Sequence, residues 1–223
     1  MIVHYWLLSF ALLLLWFPRP WLRFGGKVVS LPSRPPVDKN LRDSNDVSLR
    51  LLDELPNPRN WVDFLRALAG GIAVMIVCFE RVRGAPKITS DIIFTIQCVL
   101  LVIALLIQTT RVFQQKMTLV APIFFIFGLS FGLIGWQAAL FACITIWVAN
   151  LLLPSAGVFL MVFAFLEVVF ARFLSHGFHA YSRTLILTAA LAITPVLLSA
   201  MTNRRLVKLN KKTRVSRSVK AKA

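Results

Sequence analysis

Acidic residues are scarce in this chain. Nine Asp and Glu stand against 25 Lys and Arg in 223 residues, a formal net charge of +16. Histidine and cysteine occur three times each. From Met117 to Leu166 there is no Asp, Glu, Lys, Arg or His at all. Each absence excludes something. Cys78, Cys98 and Cys143 are odd in number and lie inside apolar runs, so they read as small buried hydrophobes and not as a disulfide framework or metal cluster. No ligand motif of recognised spacing, such as HExxH, is present. The uncharged run is too long for one membrane crossing, which takes about 20 apolar residues. A soluble core has no need of such a run. In lipid the backbone must satisfy its own hydrogen bonds, so the run folds as packed helices.

What is present agrees. The chain is 58% hydrophobic and 15% charged, with a mean hydropathy of +0.76, which places it in the membrane class. Its basic residues gather in two blocks, Arg19 to Arg59 and Arg204 to Lys222, separated by apolar stretches almost free of charge. That is the layout of the positive-inside rule, not of a nucleic-acid surface. The tail from Arg204 holds nine Lys and Arg, no acid and no interleaved aromatic residue. It reads as a disordered topology anchor resting on anionic headgroups, and no nucleic acid is expected as a partner.

The expected fold class is all-α: a polytopic transmembrane helix bundle of about seven spans, a six-span core plus an N-terminal span. Residues 1–17 form the N-terminal span, retained and not cleaved, because no Lys or Arg precedes it and no small-residue cleavage site follows. Residues 18–60 form a basic cytoplasmic connection. Within it Val47, Leu51, Leu52 and Leu55 share one face of an amphipathic helix, which lies on the membrane interface or binds a protein partner. The six-span domain occupies residues 61–201, and residues 202–223 are the tail. Asn60 caps the second span, with Asp63 in a near capping-box position. Arg66 pairs with Asp63 or snorkels to the headgroups. Gly70-Gly71 permits close helix contact. The third span runs from about Ile92 to Thr110, the fourth from Thr118 to Gly135 and the fifth from Gln137 to Leu153. The sixth runs from Ala156 to Leu174 and the seventh from Thr184 to Met201, kinked at Pro195. The hairpin at Gly135-Trp136 is either two full crossings or a re-entrant segment. Gly128 and Gly132 make a GxxxG pair for backbone contact, and Gln97 sits where an amide bonds to a neighbouring helix.

Seven spans put both basic blocks on one side. The N-terminus and His4, His176 and His179, which are all the histidines of the chain, then fall on the outer side with Glu80 and Asp91. Those three histidines and a carboxylate form a candidate metal or haem ligand set. Glu167, Arg172 and Gln97 are the other polar residues placed within or at the end of a span. A carboxylate inside a span marks a functional site by default. In helical geometry Arg172, His176 and His179 share a face and Glu167 lies opposite. The plain alternative pairs Glu167 with Arg172 or Arg183 and leaves the histidines as ordinary interfacial residues.

Gly128-Leu-Ser130-Phe-Gly132 has the letters of GxSxG, but a nucleophile elbow needs a strand-turn-helix, and this segment lies in a span. Over these few residues it resembles the rhomboid intramembrane proteases, which carry a glycine-framed serine on one span and a histidine on a later one. The resemblance implies Ser130 as nucleophile with His176 or His179 as base. Phe131 stands where that family has glycine, and the histidines lie at or beyond a span end.

The expected function is non-enzymatic: a scaffold, partner or permease-like component of a bacterial inner membrane, N-terminus outside and C-terminus cytoplasmic, in contact with lipid and anionic headgroups. Broken helices with polar groups at mid-depth mark a transporter. Gln97, Pro195 and the glycines alone do not make that case. No motif assigns a cofactor.

Overall fold

The computed structural model describes residues 2–18, 58–80, 87–113, 116–150, 153, 155–174, 182–203 and 206–207. The expected amphipathic helix near residue 50, His176, His179 and the tail beyond residue 207 lie outside them. Among the described residues there are seven α-helices: α1 Tyr5–Trp16, α2 Pro58–Ile72, α3 Lys87–Thr109, α4 Ile123–Leu133, α5 Trp136–Ala149, α6 Ala156–Leu174 and α7 Ser182–Met201. α2 continues directly into a π-helical turn, Ala73–Val77. Five short strands join them: β1 Ile2–Val3, β2 Phe79–Glu80, β3 Thr110–Phe113, β4 Lys116–Val120 and β5 Leu206–Val207.

Four helices are long and apolar enough to cross a membrane: Pro58–Val77, Ile88–Thr109, Ala156–Leu174 and Arg183–Met201. The count of seven spans is not confirmed. α1, α4 and α5 are apolar but have only 12, 11 and 14 residues. At 1.5 Å per residue, 11 residues reach about 16 Å, against a hydrocarbon core of about 30 Å. The expected fourth span is short because its first part is not helical. Pro122 lacks an amide hydrogen and disfavours helical geometry at Ala121, so the chain stays extended as β4 and turns helical only at Ile123. The second span also starts differently. Its helix opens on Pro58, a residue suited to a first helical position, so Asn60 lies inside the first turn, buried, and is not the cap.

The strands gather the chain at two ends. At one end Ile2↔Glu80 and Val3↔Phe79 pair antiparallel, and the His4 amide donates to the Cys78 carbonyl at 3.0 Å. Arg183, at the start of α7, pairs with Asp91 of α3 at that end. At the other end β3 and β4 form a hairpin from Thr110↔Leu119 to Phe113↔Lys116. β5 adds to it in parallel, Leu119↔Leu206 and Val120↔Val207. The first two tail positions thus described beyond residue 203 are a strand, because β4 offers them an open edge of backbone donors and acceptors.

α4 is the centre of the bundle. Nine of its residues, from Ile123 to Ser130 and Leu133, are buried. Its glycines face α2: a Cβ on Gly128 would lie 2.2 Å from the Phe64 carbonyl oxygen, and one on Gly132 would lie 3.3 Å from the Leu68 carbonyl oxygen. Leu129 packs over Gly71, and Leu15 of α1 fills the space above Gly70. The two backbones meet because lipid supplies no hydrophobic drive between helices, so packing contact holds them. On its other side Phe127 meets Phe163 of α6 with centroids 4.7 Å apart, and Trp147 of α5 at 6.1 Å. Outward, Trp6, Phe10 and Leu13 of α1, and Phe141, Ile144 and Val148 of α5, are exposed. These apolar faces suit contact with a lipid bilayer.

Candidate functional site

α6 buries Ala156, Phe159, Leu160, Phe163, Ala164, Glu167 and Ala171. The spacing is that of one helical stripe. Glu167 therefore occupies a core position, seven residues before the helix end, or about 10 Å along the axis. It is fully buried, and neither carboxyl oxygen has a hydrogen-bond partner. The expected pairing with Arg172 or Arg183 does not occur. Arg172 falls off the stripe and is exposed, in the last helical turn where a cation complements the helix dipole. Arg183 is engaged by Asp91.

Helix register sets what faces Glu167. α4 and α6 point the same way, and Phe127 lies against Phe163. One turn further on, the same register places Ser130 beside Glu167. α5 runs antiparallel to α6, with Trp147 against Phe159 at 6.1 Å and Phe141 against Phe170 at 5.9 Å. Cys143 falls between those two contacts, opposite Glu167. The Glu167 carboxyl is within electrostatic reach of the Cys143 thiol, and the Ser130 side chain lies at the margin of hydrogen-bonding reach of it without a bond of full geometry. Ser130 is buried, and its hydroxyl donates to the Ile126 carbonyl at 2.9 Å. Its proton is thereby committed to the backbone and its lone pairs remain. Three residues from three helices, one of them an unpartnered acid, thus meet at one level of the bundle.

A second buried polar cluster lies near the β3–β4 end. Arg66 of α2 pairs with Asp63 at 2.9 Å. Its Nη2 also donates to Gln108 Oε1 of α3 at 2.6 Å, and its Nη1 to the Phe17 carbonyl. Gln108 Nε2 in turn donates to the Leu15 and Phe17 carbonyls at 3.0 and 3.1 Å. The guanidinium lies 5.4 Å from the centre of the Phe125 ring, within cation–π range. The alternative that Arg66 snorkels to the headgroups is thus set aside, because it is buried and turned into the bundle. The two groups satisfy the carbonyls left open where α1 ends. Trp16 Nε1 adds a bond to the Leu100 carbonyl at 3.3 Å.

Gln97 Nε2 donates to the Val74 carbonyl at 2.9 Å and the Met75 carbonyl at 3.2 Å. Both carbonyls belong to the π turn of α2, where the wider hydrogen-bond pattern leaves acceptors turned outward. Gln97 therefore holds an interrupted helix and is not a free polar group.

Of the candidate metal ligands, His4 is described: it precedes α1, half-buried, beside the β1–β2 pair and so at the Glu80 end. Among the described residues no group of three His, Cys, Asp or Glu is placed to hold a metal ion. The Ser130 resemblance gains no base among the described residues: the neighbouring ionisable groups are Glu167 and Cys143. Sequence reasoning overlooked Gln108 and Cys143. A lone amide at the end of an apolar run was the available signal for Gln108. No signal on the chain pointed from Cys143 to Glu167. No family model, curated protein or solved structure matches the chain.

Proposed function

We propose that the chain is a non-enzymatic, multi-pass integral membrane component of the permease-like kind, with its working groups inside the bundle. One observation carries this reading: α4, a helix of 11 residues, is buried along nearly its whole length among helices long and apolar enough to span a membrane. Short or interrupted helices enclosed by a bundle are how permeases place irregular backbone and polar groups at membrane depth. The π turn held by Gln97, and Pro195 inside α7, give two further interruptions around the same centre. A scaffold needs neither. The membrane is proposed to be a bacterial inner membrane. Phe17, two residues before the first basic block, and Leu206–Val207, within the second, are described at the β3–β4 end, which supports a cytoplasmic location for that end.

The test is access from water to the bundle centre. With Cys78, Cys98 and Cys143 replaced by serine or alanine, Ser130→Cys and Leu133→Cys are placed on α4 and the protein is reconstituted in vesicles. A charged, membrane-impermeant methanethiosulfonate is added from each side. A permease opens its centre in at least one state, so labelling at Ser130→Cys is expected from one side. Complete protection of both positions, in protein that labels normally once unfolded, rejects the permease-like reading and leaves a scaffold.

A further inference from the structure

We infer that Glu167, with Ser130 and Cys143, forms a proton-binding site inside the membrane, where the carboxyl takes up and releases a proton. This deepens the permease-like reading by naming the coupling ion.

The site is built for a small ligand. Glu167 lies one turn beyond the Phe127–Phe163 contact and about 10 Å from the end of α6, fully buried. Both its oxygens lack a partner. Buried polar groups are almost always bonded, so an acid left open in a bundle core calls for something that visits it. A calcium or magnesium ion takes six or more oxygens. Here one carboxyl, one hydroxyl and a thiol converge, among phenylalanines. A proton needs a single atom. Ser130 suits it further: with its own hydrogen given to Ile126, its lone pairs can accept the O–H of a protonated Glu167. The surrounding elements add no competing charge among the described residues. α4 contributes no ionisable group, α5 contributes Cys143, and β5 is Leu206 and Val207. On α6 itself Arg172 is exposed, and on α7 Arg183 is held by Asp91.

The step is a simple transfer. Water donates a proton to one carboxylate oxygen, forming an O–H bond and leaving hydroxide, and the reverse releases it. No oxidant or further reactant is needed.

The test is infrared difference spectroscopy of the full chain in lipid vesicles, recorded as the pH is stepped in light and heavy water. Wild-type protein is expected to show the carbonyl stretch of a protonated carboxylic acid at low pH, lost as the pH rises. Glu167→Gln should lack that band, and Cys143→Ala should keep it. Ser130→Ala, which preserves the acid, should shift the band's frequency by removing the acceptor. A band identical in wild type and Glu167→Gln overturns the proposal, as does a Glu167 band unchanged at every pH. If Glu167→Gln does not fold, an unshifted band in Ser130→Ala overturns the site as built. Thiol protection of α4 with a titrating Glu167 band would sink the permease-like reading alone.

Discussion

Replacing Gly128 with alanine puts a methyl group 2.2 Å from the Phe64 carbonyl oxygen and 2.9 Å from the Ala67 Cβ. A carbon normally approaches a carbonyl oxygen no closer than about 3.3 Å, so α4 must back away from α2 by roughly 1 Å. The obstacle is backbone, which no side-chain rotation relieves. A gap of that size forfeits a quarter to a half of each atom pair's attraction; with roughly 30 pairs at ~0.15 kcal/mol each, the loss is on the order of 1–2 kcal/mol. Overpacked cores lose about 1–3 kcal/mol, and in lipid no hydrophobic term offsets the separation. The same substitution should scale with the space around each glycine. At Gly132 the closest atom to the new carbon is 3.2 Å away, and at Gly157 it is 3.9 Å away. Reversible unfolding in mixed micelles, followed by circular dichroism or steric trapping, gives the order. We expect Gly128→Ala to cost about 2 kcal/mol, Gly132→Ala less than ~1 kcal/mol, and Gly157→Ala almost nothing. A Gly128→Ala protein as stable as wild type, or less harmed than Gly157→Ala, would refute the α2–α4 contact.

Truncating Arg66 to leucine removes the ion pair with buried Asp63, the donor to Gln108 Oε1 and one of the two donors to the Phe17 carbonyl, and should cost about 3–5 kcal/mol; a double-mutant cycle with Asp63→Asn should show strong coupling, and additive effects would contradict the network. Arg183→Ala removes an ion pair whose side chains are 64% and 56% exposed, so after solvent screening the same unfolding assay should register no more than about 0.5 kcal/mol. Gln97→Leu keeps the size but removes the donor to the Val74 and Met75 carbonyls, with a cost near ~1 kcal/mol and faster hydrogen exchange of the π-turn amides; unchanged exchange there would mean that Gln97 does not hold the turn. Gly135 sits at φ +91° and ψ 151° with open space around its Cβ position, a conformation nearly reserved for glycine, so Gly135→Ala should cost about 1–3 kcal/mol from strain alone, and a neutral result in the unfolding assay would refute that turn.

Residence in the membrane was determined by the sequence alone, because 50 consecutive residues without an ionisable side chain have few other physical outcomes. Periodicity and small residues went further. They marked Ala156–Leu174 at both ends and the glycines that bring α4 against α2. The burial of Asp63 and Arg66 was not legible, because a charge near a helix start looks the same whether it faces headgroups or a neighbour's carbonyl. Composition could not show that Pro122 would hold β4 extended within an apolar run, nor that α2 would widen into a π turn whose carbonyls accept hydrogen bonds from Gln97 of another helix. Glu167 stood out from the sequence as an acid in a span, but its surroundings did not. Periodicity tells which face of a helix is buried. Which helix covers that face, in which direction and at what register, is decided only when the bundle packs, and it is that packing which brings Ser130 and Cys143 to the level of Glu167.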